Sequence, residues 1–407
     1  MAADVTLADI EAAASRLRGV IRDLPLAQAR WLDDLVGGEV RLVTENLQRA
    51  GSFKIRGAYN RIAQLRDEER ERGVVAASAG NHAQGVALAA QRLGVRATVF
   101  MPETASIPKV AATRGYGADV VLTGRTIDDA LEAALAFSER TGAVVIHPFD
   151  DPDIVAGQGT VGLEILAKLP GVRTVVVCTG GGGLLAGIAL AVRSQRPDVR
   201  IVGVQARAAS AYPASLAAGR PVRLDSMTTM ADGIAVGLPG ATPFGIVERL
   251  VDEIRTVTEN ELSSAVLRLL ERSKLVVEPA GAAAAAAVLA DPTAFEPPVA
   301  VILSGGNVDP LVLLRIIRHG LVAGGRYLTI SIRMSDRPGS LARLLQDIGG
   351  MHANVVDIEH HRDDADLGVD EVQIVVHVET RGPEHCAGLV TGLRERGYRV
   401  VRSDVER

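Results

Sequence analysis

One lysine stands out in this sequence as a residue suited to covalent chemistry. The sequence has 44 basic residues, of which 40 are arginines and only four are lysines, at positions 54, 109, 168 and 274. Lys54 lies in the run Gly51-Ser52-Phe53-Lys54-Ile55-Arg56-Gly57. A desolvated lysine can lose its proton and form a Schiff base, whereas arginine stays charged. A surface lysine at a loop-to-helix junction explains this position equally well on its own, so the other motifs must decide.

A run of four glycines is the strongest signal for phosphate binding. The run Thr179-Gly180-Gly181-Gly182-Gly183-Leu184 directly follows the predicted strand Thr174–Cys178 and opens a helix. Glycines let backbone N–H groups turn toward an anion, and the helix N-terminus attracts negative charge. A dinucleotide site would need an acidic residue about 20 positions further on. The next predicted strand ends Val204-Gln205-Ala206-Arg207, so a phosphate without a ribose fits better, and a purely structural glycine run is the weaker alternative.

Two further loops carry polar side chains at the ends of predicted strands. Ser78-Ala79-Gly80-Asn81-His82 follows the predicted strand Val74–Ala77 and precedes a helix. Its hydroxyl, amide and backbone N–H groups are suited to a carboxylate and a phenolic oxygen, although helix capping is a competing explanation for Asn81 and His82. Ser304-Gly305-Gly306-Asn307 follows the predicted strand Val299–Leu303. There the serine hydroxyl is placed either to hydrogen-bond a ring nitrogen or to cap a helix.

These loops belong to an alternation of β-branched runs and helical patterns that extends from Glu39 to about Gly320. The alternation predicts an α/β fold of parallel sheets wrapped by helices, with ligands at the carboxyl ends of the strands. The predicted helices include Ala83–Leu93, Ile127–Glu139 and Leu184–Arg196. The predicted strands are Val40–Thr44, Val74–Ala77, Ala97–Met101, Ala118–Leu122, Val144–Ile146, Thr174–Cys178, Ile201–Gln205 and Val299–Leu303.

After Gly324-Gly325 the pattern changes to that of a separate small domain. Its predicted elements follow one another as βαββαβ, the order of a ferredoxin-like domain. We place the boundary near Arg326, with one domain over residues 1–325 and another over 326–407. The elements are Tyr327–Met334, Ser340–Ile348, Val355–His361, Val369–Val378, Pro383–Arg396 and Arg399–Val401.

The composition excludes several classes of protein. The net charge is −5 and no basic stripe with aromatic residues is present, so we expect no nucleic-acid partner. The two cysteines, Cys178 and Cys386, do not form a C-x-x-C motif, which excludes a disulfide framework or a cysteine-rich metal site. The N-terminus lacks an apolar signal region, and no uncharged apolar stretch reaches about 20 residues. We therefore expect a cytoplasmic protein with no membrane contact.

Six motifs occur together along the chain, and they are SFKIRGA at 52–58, SAGNHAQG at 78–85, GGGGLLAG at 180–187, ADGIAVG at 231–237, EPAGAAA at 278–284 and SGGN at 304–307. In this order they resemble the pyridoxal-phosphate-dependent threonine and serine dehydratases. The resemblance covers about Leu24 to His319 and includes Glu45-Asn46-Leu47-Gln48, which precedes the first motif. It implies the tryptophan-synthase-β-like fold (fold type II), with two parallel-sheet subdomains, the smaller one inserted at about residues 50–150.

The resemblance implies a role for each matching residue. Lys54 would hold the cofactor aldehyde covalently and then remove the substrate α-proton, with Phe53 beside the ring. Asn81 would bond the ring hydroxyl and Ser304 the pyridine nitrogen, while Glu278 lies either close to the cofactor or exposed at a helix start. A neutral hydroxyl at the ring nitrogen weakens the electron sink and favours elimination over transamination. The phosphate cradle would be Gly180, Gly181, Gly182, Gly183 and Leu184, and the substrate carboxylate would bind Ser78, Ala79, Gly80, Asn81 and His82.

The implied activity is that of an L-threonine ammonia-lyase, which forms 2-oxobutanoate and ammonia by α,β-elimination of water and also converts serine to pyruvate. A dehydratase for serine or another hydroxy-amino acid is one alternative, and a non-catalytic amino-acid sensor is another. Related serine racemases usually have a second serine where this chain has Ala79, so we do not expect racemisation as the main activity. Family members that bind a divalent cation use acidic residues where this chain has Gln205–Ala211, so we expect no metal.

The C-terminal part resembles the ACT regulatory domains, which bind small amino acids. The turn Asp336-Arg337-Pro338-Gly339-Ser340 looks like their ligand loop, and these residues except Pro338 are the candidate regulatory site. The resemblance implies feedback by isoleucine or valine, as in isoleucine biosynthesis. It also implies a homo-oligomer, with a tetramer as the expected state. A dimerisation module without a ligand is the alternative.

Overall fold

The computed structural model describes residues 5–362 and 367–403, and the chain divides into two compact units, Met1–Leu313 and Leu314–Arg407. The predicted domains, 1–325 and 326–407, also include residues 1–4, 363–366 and 404–407, which lie outside the described residues. Within the described residues no helix is both long enough and apolar enough to cross a bilayer.

The strands and helices alternate through the first unit as the sequence predicts. The strands are β1 (Ala27–Gln28), β2 (Val40–Val43), β3 (Val74–Ala77), β4 (Ala97–Met101), β5 (Asp119–Leu122), β6 (Val144–Val145), β7 (Thr174–Cys178), β8 (Arg200–Ala206), β9 (Glu253–Val257), β10 (Val299–Ile302), β11 (Tyr327–Ser335), β12 (Asn354–His361), β13 (Glu371–Glu379) and β14 (Arg399–Ser403). The helices are α1 (Leu7–Leu17), α2 (Arg30–Val36), α3 (Lys54–Ala63), α4 (Asp67–Arg72), α5 (Asn81–Leu93), α6 (Ile107–Gly115), α7 (Ile127–Thr141), α8 (Pro152–Lys168), α9 (Gly183–Gln195), α10 (Ala211–Ala218), α11 (Ala241–Leu250), α12 (Glu259–Arg268), α13 (Pro279–Ala290), α14 (Pro310–Ala323), α15 (Ser340–Gly350) and α16 (Pro383–Glu395).

The larger sheet of the first unit has the order β1-β2-β10-β7-β8-β9 and is parallel except for β1. Its central strands β10 and β7 are buried along their whole length, which explains their uninterrupted apolar sequences. Because these two strands are parallel neighbours, the loops that follow them emerge at the same edge of the sheet. The glycine run and the Ser304 loop are therefore brought side by side.

The smaller sheet has the order β5-β4-β3-β6 and is entirely parallel. Helix α5 packs beside it, and its apolar face joins one core that also includes residues of α3. The loop Ser78–Gly80 leaves the carboxyl end of β3 and leads directly into α5. This sheet positions the second polar loop.

The α/β prediction is confirmed, and two strands were missed. Strand β1 has only two residues, which is too short for a periodic signal. Strand β9 has the mixed sequence EIRTV and lies at the edge of the sheet, where it is mostly half-buried. An edge strand does not need the continuous apolar run that identifies its central neighbours.

The second unit has the antiparallel sheet β12-β13-β11-β14, and its βαββαβ order is confirmed. In β11 and β13 every second residue is buried, as expected for a sheet with helices on one face. The buried side chains include Leu328, Ile330, Ile332, Ile374 and Val376, and they pack with Leu344 and Leu393 of the two helices.

Candidate active site

Lys54 is the first residue of helix α3, and its amine is held within the protein. Its Nζ donates a hydrogen bond to the carbonyl oxygen of Pro148 at 2.9 Å and lies 5.1 Å from the centre of the Phe53 ring. Burial lowers the pKa of Lys54 from 10.5 to about 8, although Cys178 and Glu278 act in the opposite direction. A substantial part of the population is therefore a neutral amine at slightly alkaline pH, which is the nucleophilic form.

The glycine loop is closely surrounded by aromatic side chains. A Cβ atom at Gly181 would lie 2.4 Å from ring carbons of Phe149, and one at Gly182 would lie 1.9 Å from the hydroxyl of Tyr212. Gly182 also has a φ of +99°, a conformation that other residues rarely adopt. The N–H groups of Gly183 and Leu184 lie in the first turn of α9 and so have no helical acceptor. The loop can present these donors to an anion.

Asn81 is fixed by contacts on both sides of its amide. Its Nδ2 donates to Glu278 Oε1 at 2.5 Å, and its Oδ1 accepts from Asn307 Nδ2 at 2.8 Å. Helix α5 begins after Gly80, without a capping side chain, so the capping explanation does not describe Asn81. The predicted loops after β3 and β10 are therefore joined directly by hydrogen bonds.

His82 is buried and neutral at ordinary pH. Its Nε2 donates to the carbonyl oxygen of Ile146 at 2.8 Å, which fixes the tautomer. Burial, together with the nearby Lys54, lowers the pKa of His82 to about 3. In the same loop, the Ser78 hydroxyl accepts a hydrogen bond from the N–H of Gly80 at 3.2 Å. Ala79 lines the cavity beside this loop.

Glu278 precedes helix α13 and is 3% exposed, so it is not an exposed helix-start carboxylate. Burial raises the pKa of Glu278 to about 7, and Asp232 adds to the effect. A Cβ at Gly305 would lie 2.2 Å from Glu278 Oε1, so only glycine leaves room for this carboxylate. Glu278 can therefore hold or release a proton near neutral pH.

Ser304 lies at the end of β10, beside Lys54 and the end of β7. Its carbonyl oxygen accepts from the N–H of Phe53 at 3.2 Å, and its side chain hydrogen-bonds Cys178. Burial raises the pKa of the Cys178 thiol to about 11, so this cysteine is a neutral thiol. The predicted lysine, glycine loop and serine are thus neighbours in space.

A cavity of about 250 Å³ opens beside Glu278 and Asn307, the two partners of Asn81. Lys54, the glycine run and Ser304 are not among the residues that line it. The predicted residues Ala79 and Glu278 line it, together with Lys109, Asp232 and Asn307. Lys109 and Asp232 form an ion pair of 2.6 Å. The volume suits a small molecule rather than a polymer.

No local sequence signal points to Pro148, Phe149, Lys109 or Asp232 as residues of the site. The first two follow β6 in the segment His147-Pro148-Phe149-Asp150, whose composition resembles an ordinary turn. Asp232 lies within the ADGIAVG motif at 231–237, which contributes to the family resemblance but implies no role for this carboxylate. The rarity of lysine was the one signal that could have drawn attention to Lys109.

The residues present fit pyridoxal phosphate, the cofactor that the motifs imply. An amine with a lowered pKa is available at Lys54, and free first-turn N–H groups are available at the start of α9. The half-buried Asn81 and the buried Ser304 add polar side chains, which contact Glu278 and Cys178. Among the described residues there is no cluster of three or more histidine, cysteine or acidic side chains that could hold a metal ion.

A second cavity, of about 360 Å³, lies in the C-terminal unit. All four candidate regulatory residues line it, together with His360 and Arg362. Asp336 pairs with Arg362 at 2.9 Å, and Gly339 has a φ of +84° at the start of α15. The cavity is formed where β11 turns into α15.

Comparisons with known proteins match each of the two units to a protein family. Residues 17–305 match the family described as pyridoxal-phosphate dependent enzyme, and residues 328–385 match the ACT domain. The chain is similar to an L-threonine ammonia-lyase of Thermotoga maritima, with 47% identity covering 97% of this chain and 99% of that protein.

Two solved structures resemble the chain over most of its length. The processed form of threonine deaminase isoform 2 from Solanum lycopersicum has 39% identity and a TM-score of 0.74, covering 77% of this chain and 92% of that one. Maize serine racemase has 35% identity and a TM-score of 0.73, covering 76% and 96%.

Proposed function

We propose that L-threonine is the substrate of this chain. The chain belongs to the pyridoxal-phosphate-dependent enzyme family and carries a C-terminal ACT domain. Its cofactor is pyridoxal phosphate. The proposed reaction is that of a threonine ammonia-lyase, the elimination of water and release of ammonia to give 2-oxobutanoate. The near full-length similarity to the Thermotoga maritima enzyme supports this choice.

The observation that carries the proposal is the position of the Lys54 amine. It donates to the carbonyl oxygen of Pro148, next to the Phe149 that packs on the glycine loop, and it interacts electrostatically with Glu278. When bound, pyridoxal phosphate supplies an electron sink for the carbon that loses its proton. Lys54 is proposed to hold the cofactor and then, as the free amine, to take the α-proton of the substrate. Its lowered pKa keeps part of the amine neutral at neutral to slightly alkaline pH.

The other predicted residues are proposed to bind and orient. The backbone N–H groups of the run Gly180–Leu184 would hold the phosphate, including the two in the first turn of α9. Phe149 and Tyr212 would fix the shape of the loop. Asn81 would donate to the ring hydroxyl and Ser304 would meet the ring nitrogen. The loop Ser78–His82 would hold the substrate carboxylate through backbone N–H groups at the start of α5.

Serine is proposed as a second, poorer substrate, since one methyl group is worth only about 1–3 kcal/mol in an apolar pocket. Ala79 lacks the hydroxyl that a proton donor on the opposite face would need, so racemisation is proposed to be minor. We further propose that the protein is a cytoplasmic homo-oligomer, with a tetramer as the expected state.

The test combines turnover with chemical trapping. Purified protein with added cofactor should form 2-oxobutanoate from threonine faster than pyruvate from serine, measured as kcat/KM for each. Borohydride reduction followed by peptide mass mapping should place the cofactor on Lys54. Capture on another lysine, or a protein that forms no coloured adduct, would reject the proposal.

The cavity of the C-terminal unit is proposed to bind a branched-chain amino acid. The exposed charges of Asp336 and Arg337 and the N-terminus of α15 are suited to the ammonium and carboxylate groups of a free amino acid. Isothermal titration with isoleucine and valine, alongside threonine turnover, tests this. Binding without any effect on turnover would leave an amino-acid-binding domain that does not regulate the enzyme.

A further inference from the structure

Lys109 joins two parts of the first unit across the cavity. It lies on α6, beside the smaller sheet, and its Nζ is 2.6 Å from Asp232 Oδ2 in the 3₁₀ turn Asp232–Ile234. The lysine side chain is 15% exposed, whereas Asp232 is 62% exposed. The less exposed partner, Lys109, is thus paired with a carboxylate from the opposite wall of the cavity.

The segment that carries Asp232 also touches the rest of the site. A Cβ at Gly180 would lie 3.0 Å from Ile234 Cα, and a Cβ at Gly233 would lie 2.9 Å from Ala280 Cβ in helix α13. The segment therefore packs against both the glycine loop and the helix behind Glu278. It belongs to the ADGIAVG motif at 231–237.

Lys109 is correspondingly close to the loop proposed to bind the substrate carboxylate. A Cβ at Gly80 would lie 4.0 Å from Lys109 Nζ, and both Lys109 and Ala79 line the cavity. The pKa of Glu278 is raised by Asp232 and lowered by Lys109, so the pair also acts on that carboxylate. One ion pair thus connects the elements on opposite walls of the cavity.

We propose that Lys109 is a positioning residue for the reaction. Its ion pair with Asp232 holds α6 and the loop Ser78–Gly80 against the wall formed by Asp232 and Glu278, which narrows the cavity around the substrate. This inference builds on the proposed function of the same cavity. The physical effect is twofold, because a fixed loop preserves the reacting geometry and a narrow cavity excludes water.

The experiment uses the full-length holoenzyme and five variants. Lys109→Met and Asp232→Asn should each lower kcat/KM for threonine by about 10- to 100-fold, the range expected for a displaced substrate. The double variant should be no worse than either single variant, since both remove the same interaction. Lys109→Arg should restore most of the activity because the charge and the reach are kept. Lys168→Met is the matched control, since its 2.5 Å ion pair with Asp23 involves no residue of the cavity lining.

A second measurement separates positioning from a general loss of structure. Hydrogen exchange of the α6 amides should be faster in Lys109→Met and Asp232→Asn than in the wild type or in Lys168→Met. The absorbance of the bound cofactor and the unfolding temperature should stay unchanged. Additive losses in the double variant, or unchanged α6 exchange, would overturn the inference. If wild-type protein does not turn over threonine, the proposed function fails, and the exchange data still decide whether the ion pair holds α6.

Discussion

The cavities of the two units are built in opposite ways. In the first unit, burial shifts the pKa values of Lys54, Glu278 and His82, and each of these groups is engaged inside the protein. In the C-terminal unit the ligand loop is exposed, and the pKa of Asp336 is lowered by its surface contact with Arg362. Desolvation brings the pKa values of Lys54 and Glu278 toward neutral pH and keeps His82 neutral, whereas an exposed loop exchanges a ligand readily. The comparison supports the proposals of covalent chemistry in the first unit and of reversible ligand binding in the second.

The largest expected effect follows from removing the amine of Lys54 in the first unit. Lys54→Arg keeps a positive charge but cannot form a Schiff base, so threonine turnover should fall by roughly 10⁴-fold or more. Lys274→Arg is the control, because this exposed lysine only donates to the Glu271 carbonyl oxygen. Turnover assays and cofactor absorbance check the result. Full activity of Lys54→Arg would show that the first unit does not use this amine for covalent chemistry.

The pH dependence of stability tests the burial of Glu278. Its pKa is 4.5 when unfolded and about 7 when folded, so the native state holds the extra proton between these values. Stability should therefore decrease as pH rises from 4.5 to 7, by at most about 3 kcal/mol from this group. Glu278→Gln should remove this component, measured by denaturant unfolding at pH 5 and pH 8 without cofactor. An unchanged slope would mean that the carboxylate is better solvated than its burial indicates.

The tightness of the glycine loop is tested by a matched pair of substitutions. Gly181→Ala places a methyl group against Phe149 and should destabilise the unit by about 1–3 kcal/mol while weakening cofactor binding. Gly245→Ala, within helix α11 and with open space around its Cβ, should instead stabilise by about 0.5–1 kcal/mol. Thermal unfolding and cofactor titration measure both. Equal changes in unfolding temperature and cofactor affinity in the two variants would show that the glycine loop can accommodate a methyl group.

The smallest expected effect concerns the loop of the C-terminal unit. Gly339 has a φ of +84° and open space around its Cβ, so Gly339→Ala has only a conformational cost, about 1 kcal/mol. Gly349→Ala in α15 has open space without positive φ and is expected to be neutral or stabilising. Gly339→Ala should weaken any effect of isoleucine while basal threonine turnover stays unchanged. A loss of basal turnover would contradict the assignment of the two cavities to separate tasks.

The sequence predicted those features whose signal lies in residues close together along the chain. Central strands such as β7 are continuous apolar runs, and the loops that follow them carry glycines and polar residues at fixed positions. The contacts that shape the site are not local. Lys109 and Asp232 are 123 positions apart, and Phe149 is separated in sequence from the glycine loop that it contacts by helix α8 and strand β7. Neither the alternation of elements nor residue propensity contains that information.

Helix α13 constrains how this enzyme can change over evolutionary time. Its residues from Pro279 to Val288 are buried, and a Cβ at Gly281 would lie 2.4 Å from the carbonyl oxygen of Gly305. A bulkier residue on that helix would push Glu278 and the Ser304 loop out of register. New substrate preferences are therefore expected to arise by substitutions on the α6 side of the pocket. Directed libraries aimed at longer hydroxy-amino acids should begin at Thr104 and Ala105, which line the pocket on that side.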